Sequence, residues 1–225
     1  MAPSVFVLCS GTGSVDRAFE RRGWNVTSVD WLPKSWPTIC ADILSWDYQA
    51  AFPKDRFQFV WMSPACTMFS IARTTCGPRQ LESATALVAK CLEIAEYFGC
   101  EWCLENPATG LLKRQPLMQG PAYKVVTYCS FGYPYRKARA LWHSRAVGEA
   151  FQPRPPCCRA TPCPAFAADG LHPKSAQRGA NRARGGGRRI DDNCSQQILY
   201  STPPELCDEI AEAAERAARE VLAHE

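Results

Sequence analysis

The chain has 225 residues, 46% of them apolar, enough to bury one full core with a small elaboration. No stretch approaches the roughly 18 consecutive apolar residues of a membrane span. The opening MAPSVFVLCSGTGS runs into a strand-like segment without a basic flank, so an intracellular chain is expected, neither secreted nor membrane-spanning, and monomeric. Thirteen cysteines would suggest a disulfide framework in a short secreted protein. Here Cys9, Cys91, Cys100 and Cys103 lie in apolar runs and read as buried thiols. The net charge of +4 is uneven: residues 151–189 carry eight Lys/Arg against the single acid Asp169, which points to local contact with a polyanion.

In chain order, SVFVLC at 4–9 reads as a strand, SGTGS as a turn, VDRAFERRG as a short helix closed by Gly23, and WNVTSVDW as a second strand. This is the opening of a nucleotide-binding α/β sheet. CADILSWD forms another acid-bearing turn, and RFQFVWMSPAC from Arg56 reads as an apolar strand running into a polar loop that extends to about Pro78. Residues 81–98 place Ala84, Leu87, Val88, Cys91, Leu92, Ala95 and Phe98 at helical spacing. EWCLENP is a further strand, and VVTYCSFGYPYRKARALW is expected to form two strands joined by a Gly-Tyr-Pro turn. From Phe151 the composition shifts to Pro, Cys, Gly and Arg, giving a flexible or metal-pinned insertion. At Ser201 a helix recovers, with Thr202 as cap, Pro203 opening it, Glu205 supporting it, and Leu206, Ile210, Ala214, Ala217 and Val221 on its apolar face.

Four short segments carry chemistry. Cys9, Ser10, Gly11, Thr12, Gly13 and Ser14 form a turn at a strand end, where glycine lets the backbone approach a cofactor closely, although a plain tight turn would also use glycine. Asp30 ends the next strand, where an acid accepts hydrogen bonds from ribose hydroxyls, and Trp31 beside it is placed to cover an adenine ring. Asp42, next to Ile43, is a candidate for an adenine amino group or, as cheaply, a helix cap. Trp24, Trp31, Trp36 and Trp46 read as core or cofactor-edge packing. Ser63-Pro64-Ala65-Cys66 holds a thiol after a rigid turn at the ligand edge of the sheet, a nucleophile's position, and Glu105 in LENP ends another strand where it can supply or hold a proton.

The order of CSGTGS, SPACTMFS, LENP and PYRKAR resembles motifs one, four, six and eight of the DNA (cytosine-5) methyltransferase family, over about residues 4–142, and the closing helix extends the likeness to the end. The resemblance implies a Rossmann-like S-adenosylmethionine-dependent methyltransferase fold, α/β with a mixed sheet and helices on both faces. It divides the chain into a catalytic core at 1–150, a short basic Cys/Arg/Gly-rich recognition insertion at 151–192 and a closing segment at 193–225. A chain this compact resembles phage or viral members. The resemblance makes Cys66 the nucleophile that adds to carbon 6 of an everted cytosine and Glu105 the acid at ring nitrogen 3. Arg139 and Lys137 fall at the family's basic positions, with Arg139 holding the base or supporting the nucleophile. S-adenosylmethionine would lie on Cys9 to Ser14, Asp30, Trp31, Asp42, Ile43 and Pro64. Departures from the pattern are Ala65 for a proline, ENP for ENV, Tyr135 for a glutamine, Lys137 for an arginine, and Asp30 where glutamate is commoner.

The insertion is short for a recognition domain and does not choose between DNA and RNA, including transfer RNA. Lys174, Arg178, Arg182, Arg184, Arg188 and Arg189 in the insertion, with Ser70 and Arg73 in the core, are candidate nucleic-acid contacts. Cys157, Cys158, Cys163 and His172 are candidate structural zinc ligands, with Cys158 either a ligand or a bystander because the spacing matches no standard finger. Two other readings stay open at this point: a non-catalytic nucleic-acid-binding protein of the same fold, and a nicotinamide-dependent oxidoreductase using the glycine turn.

Overall fold

A computed structural model describes residues 2–73, 77–166, 172–174, 176 and 196–223. Seven strands form one sheet in the order β3-β2-β1-β4-β5-β7-β6: β1 Ser4–Leu8, β2 Asn25–Asp30, β3 Ile39–Cys40, β4 Phe59–Met62, β5 Glu101–Pro107, β6 Tyr123–Thr127 and β7 Ala138–His143. Strands β1 to β5 are mutually parallel; β7 runs antiparallel to both β5 and β6. Helices α1 Ser14–Arg21, α2 Tyr48–Ala51, α3 Leu81–Phe98, α4 Arg145–Ala150, α5 Gln196–Tyr200 and α6 Pro204–Ala223 cover the sheet.

All five residues of β1 are buried, as expected of a parallel strand covered on both faces. Its side chains alternate between two cores: Val5 and Val7 join Phe59, Trp61, Leu141 and the inner faces of α1 and α6, while Phe6 and Leu8 join Val60, Met62, Trp142 and α3. On the second face Phe6 stacks on Phe57 at 4.7 Å, and Phe57 meets Phe98 edge-on at 5.0 Å, so aromatic packing fixes α3 against the sheet. Helix α3 ends at Gly99, whose φ of 61° supplies the left-handed cap.

Several elements differ from the sequence expectation for local reasons. Strand β4 is only four residues long: Ser63 N–H makes its last bond to β1, at Leu8 O, and Pro64 has no N–H with which to continue. Between β6 and β7 the chain makes a 3-10 turn, Tyr128–Phe131, before Gly132 at φ 84°. Helices α4 and α5 were not anticipated, being too short to show a period. Helix α6 starts at Pro204, one residue later than expected. Its buried face is also broader, adding Cys207, Ala211 and Ala213 to Leu206, Ile210, Ala214 and Ala217.

The small residues of α6 let it sit close to α1 and α4. Glu215 anchors the same contact: it accepts two hydrogen bonds from Arg22, at 2.6 and 2.8 Å, and one from Trp24 Nε1 at 3.3 Å. Arg154 ties the start of the insertion to α6 through Glu205 and Glu209. Since Ala214 is fully buried, Ala214→Leu is predicted to overpack this seam and cost about 1–3 kcal/mol, read by urea denaturation; an unchanged midpoint would refute the close packing.

Candidate functional site

The strand order reverses between β2-β1 and β4-β5, and crevices for ligands open outside the carboxyl ends of strands at such a point. A cavity of about 1060 Å³ lies there. On one side it is lined by Cys9 to Ser14, Asp30, Trp31, Asp42 and Ile43; on the other by Pro64, Ala65, Cys66, Glu105, Lys137 and Arg139.

The glycine turn is held by the next strand. Gly11 N–H donates to Asp30 Oδ2 and Leu32 N–H to Asp30 Oδ1, both at 2.9 Å, so Asp30 is the hinge of the turn as well as a wall of the cavity. Cys9, Gly11 and Gly13 have φ of 58°, 57° and 66°. A side chain at either glycine would be strained, and Cys9 bears that strain already. Ser63 Oγ donates to Cys9 O at 3.0 Å, clamping the turn to the end of β4. Asp42 Oδ1 accepts from Leu44 N–H at 3.0 Å, the local cap, while the residue still faces the cavity. Trp31 and Trp36 stand 70% and 90% exposed at the rim, Trp24 is buried, and Trp46 is half-buried against Phe6.

This half of the cavity suits the S-adenosylmethionine that the resemblance implies. The buried Ser10 Oγ has no protein partner, and Asp16, Glu20, Asp30 and Asp42 outnumber Arg17 and Lys34 along the wall, which favours a ligand bearing a sulfonium and an ammonium. Asp16 was not singled out from the sequence; burial pushes its carboxyl up, and a hydrogen bond with Ser28 opposes this.

On the other side, Cys66 begins a tight turn, its carbonyl accepting from Phe69 and Ser70 N–H. Behind it Asn106 Nδ2 donates to Pro64 O at 3.0 Å, fastening the thiol's loop to β5. Glu105 and Arg139 sit diagonally across the antiparallel β5-β7 pair, Glu105 opposite Leu141 and Arg139 opposite Pro107. Arg139 makes a two-pronged ion pair with Glu105, both side chains nearly free of solvent, and Tyr128 OH donates to Glu105 Oε1 at 2.8 Å. Burial pushes the Arg139 guanidinium down, and its hydrogen bond and attraction to the Cys66 sulfur oppose that. Arg139 therefore spans nucleophile and carboxylate. Burial also pushes Lys137 down, opposed by Cys66. Lys137 Nζ donates to Leu199 O at 2.7 Å and lies 5.0 Å from the centre of the Tyr128 ring.

Two of the residues that depart from the resembled pattern have work in the fold. Tyr135 OH donates to Ile198 O at 2.9 Å, beside the Lys137 bond to Leu199, so the two together hold α5. That helix and the following turn bring Tyr200 and Thr202 to the cavity. Asn106, Tyr128 and Thr202 were not singled out as site residues. Asn106 was legible beside Glu105, whereas Tyr128 and Thr202 carry no local signal.

The expected nucleic-acid contacts are more scattered. Ser70 Oγ accepts from Ala72 N–H, and Arg73 donates to Pro78 O at 3.5 Å; neither lines the cavity. Lys174 N–H donates to Pro134 O. Arg178, Arg182, Arg184, Arg188 and Arg189 lie outside the described residues.

The expected metal set needs one correction. Cys157, Cys163 and His172 do converge, but the fourth member is Cys129, and the four ligand atoms lie within 4.8 Å of one another. Cys158 is exposed, with its sulfur against Thr161 Oγ1 at 3.1 Å, because the turn at 158–161 points it outward. Burial pushes the Cys129 thiol up to about 12 and the His172 imidazole down.

No protein-family profile matches the chain. A probable DNA (cytosine-5)-methyltransferase of Frog virus 3 (isolate Goorha) is 30% identical over 217 residues, covering 90% of this chain and 96% of the relative. Similar solved structures include an Entamoeba histolytica methyltransferase (TM-score 0.49, 14% identity, 64% of this chain and 53% of that one). Two others are a putative DNA modification methyltransferase of an E. coli prophage (0.49, 15%, 69% and 52%) and a Spodoptera frugiperda DNMT2 mutant (0.48, 15%, 72% and 57%). The chain spans little more than half of each of these structures.

Because the Glu105 carboxylate is buried, Arg139→Ala is predicted to strand its charge and destabilise the fold by about 3–5 kcal/mol. The double variant Arg139→Met with Glu105→Leu should recover most of that loss. Urea denaturation of the pair decides, and equal losses in single and double variants would contradict the electrostatic cause.

Proposed function

Because the chain belongs to the DNA (cytosine-5)-methyltransferase family, we propose that it transfers a methyl group from S-adenosylmethionine to carbon 5 of cytosine in DNA through a covalent adduct on Cys66. The observation that carries this reading is the meeting, in one cavity, of a half-exposed Cys66, the Arg139-Glu105 pair and the glycine turn closed by Asp30. A nicotinamide-dependent oxidoreductase would leave Cys66, Glu105 and Arg139 without a task.

S-adenosylmethionine would rest on residues 9–14, Asp30 and Ile43, and supplies an electrophilic methyl group on its sulfonium. The target base has to leave the duplex, since carbon 6 is shielded by stacking. Cys66 sulfur bonds to carbon 6, and the electron pair displaced from the ring double bond makes carbon 5 nucleophilic while a proton passes through Glu105 to nitrogen 3. A carboxylate has about four lone-pair sites. Arg139 takes two and Tyr128 one, so one remains that the base would use. Arg139 and Lys137 line the same wall of the cavity as Cys66 and would face the phosphate-bearing substrate from the nucleophile's side. Transfer of the methyl group to carbon 5 would leave the donor as a neutral thioether; carbon 5 then loses its proton to solvent, nitrogen 3 gives its added proton back through Glu105, and the carbon-sulfur bond breaks to free Cys66.

A labelled-methyl assay should give incorporation into DNA that Cys66→Ser abolishes and Glu105→Gln lowers by about 10²–10⁴-fold, the usual weight of a positioned acid. A 5-fluorocytosine oligonucleotide should trap a covalent complex on wild type and none on Cys66→Ser. Full incorporation by Cys66→Ser would refute the mechanism; incorporation into transfer RNA and not DNA would move the substrate. Binding without turnover would leave a non-catalytic protein of the same fold.

A further inference from the structure

Cys129, Cys157, Cys163 and His172 play no part in methyl transfer, and we propose that they bind one zinc ion as a closed structural Cys3His site. A tetrahedral site with Zn–S of about 2.3 Å and Zn–N of about 2.0–2.1 Å has ligand-to-ligand edges of about 3.5–3.8 Å. His172 Nε2 lies 3.6 Å from Cys157 Sγ and 3.4 Å from Cys163 Sγ, the edges of such a tetrahedron. All four donor atoms fall within 4.8 Å of one another, and the three thiols are free of disulfides.

The surroundings favour an ion over a packed thiol cluster. Cys129, Cys157 and Cys163 are buried, yet among the described residues only Ala165 and Phe166 join them as apolar neighbours, too little to hold a loop that has neither helix nor strand from residue 152 to 166. Metal thiolates favour an amide donor to sulfur and a held loop around it. Cys163 N–H donates to Cys157 Sγ at 3.4 Å, Cys157 N–H to Thr127 Oγ1 at 2.8 Å, and Phe166 meets the His172 ring edge-on at 5.4 Å. Three thiolates around a divalent ion leave one negative charge, and Arg136, which donates to Cys157 O at 3.0 Å, stands beside it.

With four protein ligands the site has no open position for substrate or water, so its role is structural. Cys129 lies in the 3-10 turn directly after Tyr128, the residue that donates to Glu105. The ion would therefore fasten the start of the insertion to the turn that props the carboxylate.

The test is metal content by plasma mass spectrometry on the full chain purified without chelator, with cobalt substitution as the second readout. Wild type and Cys158→Ser should each hold about one zinc per chain and give the visible bands of tetrahedral cobalt with thiolate charge transfer. Cys129→Ser should lose both. If Cys129→Ser does not fold, alkylation of the wild-type chain decides: Cys158 reacts at once, whereas Cys129, Cys157 and Cys163 react only after a chelator is added. A metal-free wild type, a disulfide among the three thiols, or loss of zinc from Cys158→Ser but not from Cys129→Ser would overturn the proposal. None of these readouts depends on methyl transfer.

Discussion

A carboxylate and a guanidinium taken out of water between two antiparallel strands are tolerable only if they satisfy one another, and Glu105 and Arg139 do so through a two-pronged ion pair. The pair depends on the sheet's one reversal. Because β7 runs against β5, the arginine from one strand crosses diagonally to the glutamate of the other, and the same guanidinium reaches the sulfur on the loop after β4. Tyr128 completes the carboxylate's partners from the turn between β6 and β7, so four separate segments must be in place before the site is whole. The burial that makes the arrangement costly also keeps it rigid.

Around this pair the fold separates two electrostatic tasks. The half built from β1, β2 and the turns after them is acidic and glycine-lined, and its geometry is enforced by Asp30 bonding back to the turn it faces. The half built from β4, β5 and β7 faces the thiol with positive charge. Ser63 joins the halves by clamping the glycine turn to the end of β4, and Asn106 braces the second half by clamping the nucleophile's loop to β5. A methyl donor and an acceptor base would then meet at Pro64 to Cys66, where the two walls come together.

The departures from the family's motifs acquire a physical account. Tyr135 and Lys137 spend their polar ends on the carbonyls of α5, and that short helix carries Tyr200 and Thr202 to the cavity. In a chain with so small an insertion, side chains of the β6-β7 connection also serve to hold down the closing segment.

What was legible from residue order alone is whatever is local in cause. The apolar runs of the buried strands, the helical period of residues 81–98, the glycine turn and Asp30, and the thiol and carboxylate at strand ends all follow from patterns a few residues wide, set by backbone geometry. The sequence also pointed to a cysteine-histidine cluster after residue 156. Tertiary structure alone decided its membership, because Cys129 lies 28 residues before Cys157 and joins it only when β6 ends beside the insertion, while the turn at 158–161 carries Cys158 outward. Tyr128 on Glu105, Arg139 linking sulfur to carboxylate, and α5 on Tyr135 and Lys137 are likewise products of strand register and helix docking. Contacts of that range depend on closing long loops around a common core, and no short window of sequence encodes them.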